Sequence, residues 1–490
     1  MAVMPYRCLA DFLEELGHAG ELTRVEDEVD PALEAAEIVA RSAKLGGPAL
    51  LFGAVKGHDL PVLCNLLATE GRICRALGVA SLDEVADRIA RLLDAASPEG
   101  WFERLKAGAQ PIALNGIMPH KVKSAAAQQI VRLGSDIDLG ELPLLQVAPG
   151  EADIKSGGAD IPVCLAVPDF RGRQECLPHH DEKCARAITG VPVFSAEPDS
   201  HRPVAGRFDL QRIDRTRLAV CWAAHDEHAR LMSEYRARSQ KMPLAVVIGG
   251  DPAFLLAASA PLPPGGDVCA VAGLLREKSL DVTACRSVDL DVPAEAEIIL
   301  EGFIDPAQPS VEAGPLCGPM GHPTLPRSAP AMQVTAVTHR ANPIYAVMVP
   351  GRPPHEACTV ARAMHRVFMP LARLAMPELV DYDLPEFAAA RHWAAVSIRK
   401  TYPGQGRRAA HAAWGLPPMM FAKVLVVVDD DVDVHDHEEV LAAVTSNMRP
   451  DRDVLIERGP ADPFDPAASP DALGQKMALD ATRKLASESM

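Results

Sequence analysis

Apolar and polar positions divide the chain into a mixed helix–strand opening, a strand-rich middle and a second helix–strand region at the end. Leu9–Leu16 has helical spacing, and Leu22–Val25 reads as a short strand. Asp30-Pro31 predicts a helix start, with a capping acid, proline at the first helical position, and Glu34 and Glu37 near the positive end. Leu33, Ala36, Ala40 and Ala43 share its apolar face, Arg41 and Lys44 suit its last turn, and Gly46-Gly47 stops it. Ala49–Phe52 and Val62–Leu66 predict buried strands, and Ser81 to Ala96 a further helix.

From about residue 115 strands dominate: Ile161–Val167, Leu218–Trp222, Leu244–Ile248, Asp281–Ala284 and Glu297–Glu301. Ile248-Gly249-Gly250-Asp251-Pro252 predicts a strand turning into a helix from Ala253. Residues 169–206, rich in Pro, Gly, His and Arg, read as one long irregular stretch, the kind of loop that carries function. After about 345 helix and strand alternate again. Val424–Val428, ended by Asp429-Asp430-Asp431, fits a buried strand of a parallel α/β sheet.

At 490 residues the chain is long enough for two or three domains. Apolar residues at 48% and charged residues at 23% give a soluble globular balance. No apolar run reaches the roughly 18–20 residues that span a bilayer. The N-terminus turns acidic too soon for a secretory signal, so a cytoplasmic location is expected. The net charge of −17 argues against nucleic acid as a partner, because phosphate backbones are held by clustered Lys and Arg. The eleven cysteines are expected to be reduced, and most of them buried.

Several segments then change the picture. GELTRVEDEVDPALEAAEI, GGPALLF and PVLCNL stand near the start, and IGGDPA, VAGLLRE and VPAEAEIILEG in the middle. VSIRKTYPGQGRR, VVVDDDVDV, TSNMRPDRD and LGQKMALDATRK follow towards the end. In order and spacing these resemble the UbiD family of prenylated-FMN-dependent decarboxylases, over nearly the whole chain. The resemblance implies an α/β (α+β multidomain) architecture: an N-terminal α/β domain over 1–115, a central flavin-binding split β-barrel over 116–340, and a C-terminal α/β oligomerisation domain over 341–490. It also implies prenylated FMN, supplied by a separate flavin prenyltransferase and bound with a divalent metal (Mn or Mg) and potassium. The implied substrate is an aromatic or α,β-unsaturated acid, and the implied assembly a homo-oligomer, dimer or hexamer.

Compared motif by motif, this chain departs from the family at the site. The family's N-x-G-x-Y-R motif falls on Val204-Ala205-Gly206-Arg207-Phe208-Asp209, so its metal-binding Asn is Val204 and its catalytic Arg is Asp209. Arg207, Arg212 or Arg215 are candidate substitutes, against a reading as surface arginines. Trp222-Ala-Ala-His225 keeps the spacing of the family's metal-binding histidine, making His225 a candidate metal and cofactor contact. The third metal position is Val268, with Asp267 beside it as the candidate ligand. The catalytic loop E-G-P-x-G-E/D falls on Cys317-Gly-Pro-Met-Gly-His322, and counting from the preceding LEG places Glu312 at the first acid. His322 suits proton delivery, because an imidazole titrates near neutrality. Cys317 is a nucleophile or simply a buried thiol. Lys400 resembles a cofactor-phosphate lysine, and His355 a substrate-pocket residue. Asp429–Asp431 read better as strand-end turn caps than as a metal site.

Cys176, His179, His180 and Cys184 have ligand chemistry for zinc but match no standard spacing. No nucleotide-binding glycine motif occurs. The leading expectation is a UbiD-like carboxy-lyase with atypical catalytic residues. Its rivals are a relative that has lost decarboxylation and serves as a subunit or binding protein, and different chemistry on the same scaffold.

Overall fold

The computed structural model describes residues 6–95, 116–147, 184–465, 467 and 473–488. At its centre Ala187–Ala196, Pro203–Arg212, Arg217–Cys221, Met242–Ile248, Ile298–Ile304 and Ala331–His339 form an antiparallel barrel. Ile298–Ile304 pairs with both Met242–Ile248 and Ala331–His339, which closes the cylinder and leaves no exposed edge between these strands. Ile130–Leu133 adds to the last strand from outside. Val193, Val204, Leu210, Leu218, Val246 and Leu300 are buried in one apolar cluster.

One of these strands, Ala187–Ala196, lies inside the stretch 169–206 expected to be irregular, and Pro203–Arg212 begins within it. Ala187–Ala196 and Pro203–Arg212 pair antiparallel, with a register shift between Ile188 and Val191. Gly190 sits at that bulge with φ of +62°, and Pro192 and Pro203 interrupt the apolar alternation, which hid both strands from periodicity. The strand expected at Ile161–Val167, residues 169–183, and with them Cys176, His179 and His180, lie outside the described residues.

The N-terminal sheet runs Leu22–Val25, Ala49–Phe52, Val62–Cys64, and then Tyr345–Ala346, which returns from beyond the barrel to pair parallel with Val62 and Leu63. The helix expected at Asp30-Pro31 begins later, at Glu34. Asp30 instead makes a turn: its carboxylate accepts the Ala32 N–H (2.8 Å) while its own N–H goes to Glu34 (2.8 Å). Leu33, at φ +78°, cannot continue a helix backwards. Glu356–Val367 packs against Glu70–Leu77 and Leu82–Ala95.

The C-terminal sheet has the order Leu379–Asp383, Trp393–Ile398, Val424–Asp429, Leu473–Asp480, Val454–Pro460. Its three inner strands are parallel, as expected, but both edge strands run antiparallel, so the sheet is mixed. Among the described residues no helix is long and apolar enough to cross a membrane.

Candidate functional site

The strand Pro203–Arg212 separates two environments by simple alternation. Val204, Phe208 and Leu210 face the apolar core, whereas Arg207, Asp209 and Gln211 occupy the other face. These three organise what lies above them. Asp209 Oδ1 accepts the Gly190 N–H (2.7 Å), and Arg207 Nε donates to the Gly190 carbonyl (2.9 Å). Gln211 Oε1 accepts the Gly314 N–H (2.7 Å), tying the strand to the segment that leads into Cys317. The bulge at Gly190 thus presents both of its peptide groups to consecutive polar residues of the neighbouring strand.

Arg207 also donates to Ser259 Oγ and contacts Met348 Sδ. Burial pushes its guanidinium down to about 10, against the opposing pull of Glu356 and Asp209. Arg212 reaches the Leu139 carbonyl (3.4 Å) and Arg215 pairs with Asp138 (3.0 Å). Of the three candidate arginines, Arg207 is the one beside Asp209.

The Cys317–His322 segment forms a tight turn, in which the Gly318 N–H donates to the His322 carbonyl (2.8 Å) and the Gly321 N–H to that of Gly318 (2.9 Å). Gly321, at φ +76°, takes the left-handed position that favours glycine. Cys317 is buried against Cys184, and that thiol together with burial holds it protonated. The His322 side chain is exposed at the tip, and Glu312 is exposed on the short hairpin of Val311–Ala313 with Arg327–Ala329. His355 Nε2 donates to the Pro319 carbonyl (3.0 Å), and burial lowers its pKa, so the ring is neutral at pH 7. On its other side His355 lines a cavity of about 530 Å³ with Thr359, Arg362, Tyr382, Asp383 and Glu386.

The C-terminal domain closes the site from above. Asp462 accepts from Arg391 Nη1 (2.8 Å) and His392 Nε2 (2.9 Å), and its other oxygen takes the Phe464 N–H (2.9 Å). Burial opposes this charge, yet the Arg391 guanidinium and the hydrogen bond from His392 hold Asp462 far below the usual carboxylate range. The Phe464 ring lies 5.3 Å from the Arg327 guanidinium, which donates to the Cys221 carbonyl (3.1 Å). His225 stacks edge-on to Phe421 (4.7 Å) and lies 3.6 Å from Asp226. Burial raises both Asp209 and Asp226, while Arg327 and Arg391 pull both down. Two half-buried acids and two arginines therefore share one electrostatic neighbourhood between barrel and C-terminal domain.

The remaining candidates sit elsewhere. Asp267 caps the helix Val268–Leu275, accepting the Cys269 (2.8 Å) and Ala270 (3.3 Å) N–H groups. Val204 and Val268 are 2% and 6% exposed, each within an apolar cluster. Among the described residues no three His, Cys, Asp or Glu side chains converge to hold a metal ion. Lys400 is enclosed in the C-terminal domain, donating to Thr482 Oγ1 (3.0 Å), the Arg483 carbonyl (3.1 Å) and Glu488 (2.7 Å). Sequence reasoning missed Asp226, Arg327 and Arg391. The one available signal was that Arg327 follows the Cys317–His322 turn by five residues.

Comparison with known proteins gives this arrangement a context. Family models for 3-octaprenyl-4-hydroxybenzoate carboxy-lyase match in three consecutive parts: the N-terminal domain over 13–93, the Rift-related domain over 176–353 and the C-terminal domain over 358–481. An uncharacterized protein of Aquifex aeolicus is 37% identical over 481 residues, covering 98% of this chain and 92% of its own length. One from Archaeoglobus fulgidus is 37% identical over 485 residues with the same coverage. The UbiD-class enzyme HmfF from Pelotomaculum thermopropionicum, solved in complex with FMN, superposes with a TM-score of 0.75 at 26% identity, covering 98% of this chain and 95% of that one. The closed form of vanillic acid decarboxylase from Sedimentibacter hydroxybenzoicus superposes with a TM-score of 0.82 at 25% identity, covering 99% and 94%. With all three domains matched in order and the barrel closed between them, the chain belongs to the UbiD family of carboxy-lyases.

Proposed function

We propose that this protein removes CO₂ from an aromatic or α,β-unsaturated acid with prenylated FMN, using Asp209 in place of the loop acids found in its relatives. The observation that carries the reading is the half-buried Asp209 carboxyl, raised by desolvation and pulled down by Arg327, Arg207 and Arg391, on the strand that Gln211 ties to the segment leading into Cys317. In net terms a carboxylate loses CO₂, the C–C bond electrons stay on carbon, and that carbon takes a proton. Bound flavin supplies the electron sink for the carbanion. The protein must hold the carboxylate and keep a proton available.

Arg327 and Arg391 are the proposed carboxylate holders, because guanidinium groups fixed by Cys221, Phe464 and Asp462 need no reorganisation when substrate arrives. Asp209 is the proposed proton carrier. Its Oδ1 is occupied by Gly190, and among the described residues Oδ2 makes no hydrogen bond, which leaves it free to carry the proton. His322, exposed at the tip of the turn, is the proposed solvent-side relay. Cys317, held protonated, and Glu312, exposed on its hairpin, are left outside the proton path. The His225–Phe421 pair is the proposed aromatic wall of the flavin pocket.

The chain does not fit the divalent metal of the family, and no step is derived through a metal. Two metal positions are buried valines, Asp267 is committed to a helix cap, and Lys400 is fully engaged by protein acceptors. Supply of the cofactor by a flavin prenyltransferase and assembly as a dimer or hexamer belong to the same proposal. The second reading, a non-catalytic relative, is favoured by Asp209 standing at the family's arginine position.

Anaerobic co-expression with a flavin prenyltransferase tests the cofactor. The purified protein is expected to absorb as a flavoprotein and to release a compound with the mass of prenylated FMN. Correctly folded protein without flavin would remove this reading.

A further inference from the structure

Resting on the reading of Asp209 as proton carrier, we propose that Arg207 is its positioning residue. By locking the Gly190 bulge from the same strand face, it fixes which carboxyl oxygen of Asp209 is bound and which stays free.

A glycine in a bulge at φ +62° has two soft backbone dihedrals and no side chain to hold them. Here both groups that flank its Cα are held. Asp209 Oδ1 takes the N–H (2.7 Å), and Arg207 Nε donates to the carbonyl (2.9 Å), with Nη2 on the same oxygen. Holding both ends fixes the bulge, and the bulge in turn fixes the carboxyl plane. The guanidinium is itself held. Nη1 donates to Ser259 Oγ and Nη2 contacts Met348 Sδ, so four of its five N–H groups have partners. Thr189 Oγ1 donates to the Met348 carbonyl, which ties the residue before the bulge to the same segment. A Cβ on Gly190 would stand 3.1 Å from Arg207 Nη2 and 3.4 Å from Met348 Cβ, so the arginine packs directly over the glycine.

Arg207 has no room to act on substrate directly. The space beside it is about 30 Å³, enough for a water molecule and little more. Its influence passes through Asp209, two residues along the strand and roughly 7 Å away at strand spacing. Burial raises the Asp209 pKa, while the Gly190 N–H, Arg327, Arg207 and Arg391 pull it down. The Cys221 and Cys317 thiols also lie within its field. Removing Arg207 takes away one of these cations and loosens the Gly190 N–H together. Both changes disfavour the charged form, so they act in the same direction.

Infrared titration of the flavin-free full-length protein reads the Asp209 carboxyl directly, as the protonated-carboxyl band absent from Asp209→Asn. In Arg207→Met the midpoint is expected to move to higher pH and the band to broaden. Arg207→Lys, which keeps a cation and one donor group, is expected to fall between. In the holoenzyme, with an acid that turns over, Arg207→Met should lower kcat about 10- to 100-fold. KM should change less than about threefold, since the proposed carboxylate holders are untouched. An unchanged band and midpoint in Arg207→Met would overturn the proposal. So would an unchanged titration in Arg207→Lys, which decides the matter if Arg207→Met does not fold. A shifted midpoint with full turnover in Asp209→Asn would instead remove the proton-carrier reading, and with it the role of the clamp in catalysis.

Discussion

Asp209→Asn is expected to lower kcat about a thousandfold while the protein stays folded and binds flavin as before. The amide oxygen can still accept the Gly190 N–H, so the bulge and the strand face persist. What disappears is the only exchangeable acid proton at that position. The pH profile separates this role from a merely structural one. Burial raises the Asp209 pKa above that of a free carboxyl, and a proton donor works only while protonated. Activity should therefore decline as pH rises through that raised pKa, and the decline should be missing from the residual activity of the variant. A kcat within a few-fold of wild type, or an unchanged alkaline limb, would move the proton to another group, with His322 the first to test.

The largest effect on stability is expected at Asp251. This residue is 2% exposed, and its Oδ1 accepts the Ala253 (2.7 Å) and Phe254 (3.2 Å) N–H groups at the start of Pro252–Ala257. Its other oxygen pairs with Arg276 Nη1 (2.9 Å), whose Nη2 holds the Tyr6 carbonyl (3.1 Å). Asp251→Ala removes a cap worth about 1 kcal/mol and strands a buried guanidinium, so the total loss should reach about 3–5 kcal/mol. Equilibrium denaturation in urea measures it. The double variant with Arg276→Met should recover part of the loss, because the unpaired charge goes as well. A loss under about 1 kcal/mol would mean that the pair and cap contribute little beyond solvated alternatives.

Much of the fold was legible because local pattern and tertiary environment agree. Ala49–Phe52 lies where a continuous apolar run after Gly46-Gly47 puts a buried strand, Asp281–Ala284 where Val282 and Thr283 favour one, and Ile248–Pro252 turns from strand to helix as its glycines and proline require. The strand pair Ala187–Ala196 and Pro203–Arg212 escaped notice because a bulge and two prolines erase period two, although barrel closure tolerates both. Asp30-Pro31 carried every helix-start signal, yet Leu33 bends the chain first, with Ala32 bridging to Gln146.

The site was less legible for a different reason. Asp209 was found only as a departure at a family position, and Arg327 and Arg391 come from segments far apart along the chain. Their meeting depends on how the barrel and C-terminal domain pack, which no local window contains. Asp267 and Lys400 show the reverse: suitable residue types near motif positions, but with side chains already occupied by a helix terminus and by the C-terminal segment.

Carbon dioxide release tests the central claim most directly. The anaerobically prepared holoenzyme would be offered a panel of carboxyl-¹³C aryl and acrylic acids in D₂O, with ¹³CO₂ and ring or vinyl deuteration followed together. The account predicts that at least one acid yields ¹³CO₂ in step with deuterium at the carbon that bore the carboxylate, and that Asp209→Asn suppresses both. Holoenzyme with prenylated FMN bound that produces neither, across the whole panel, would contradict it and leave the non-catalytic reading in its place.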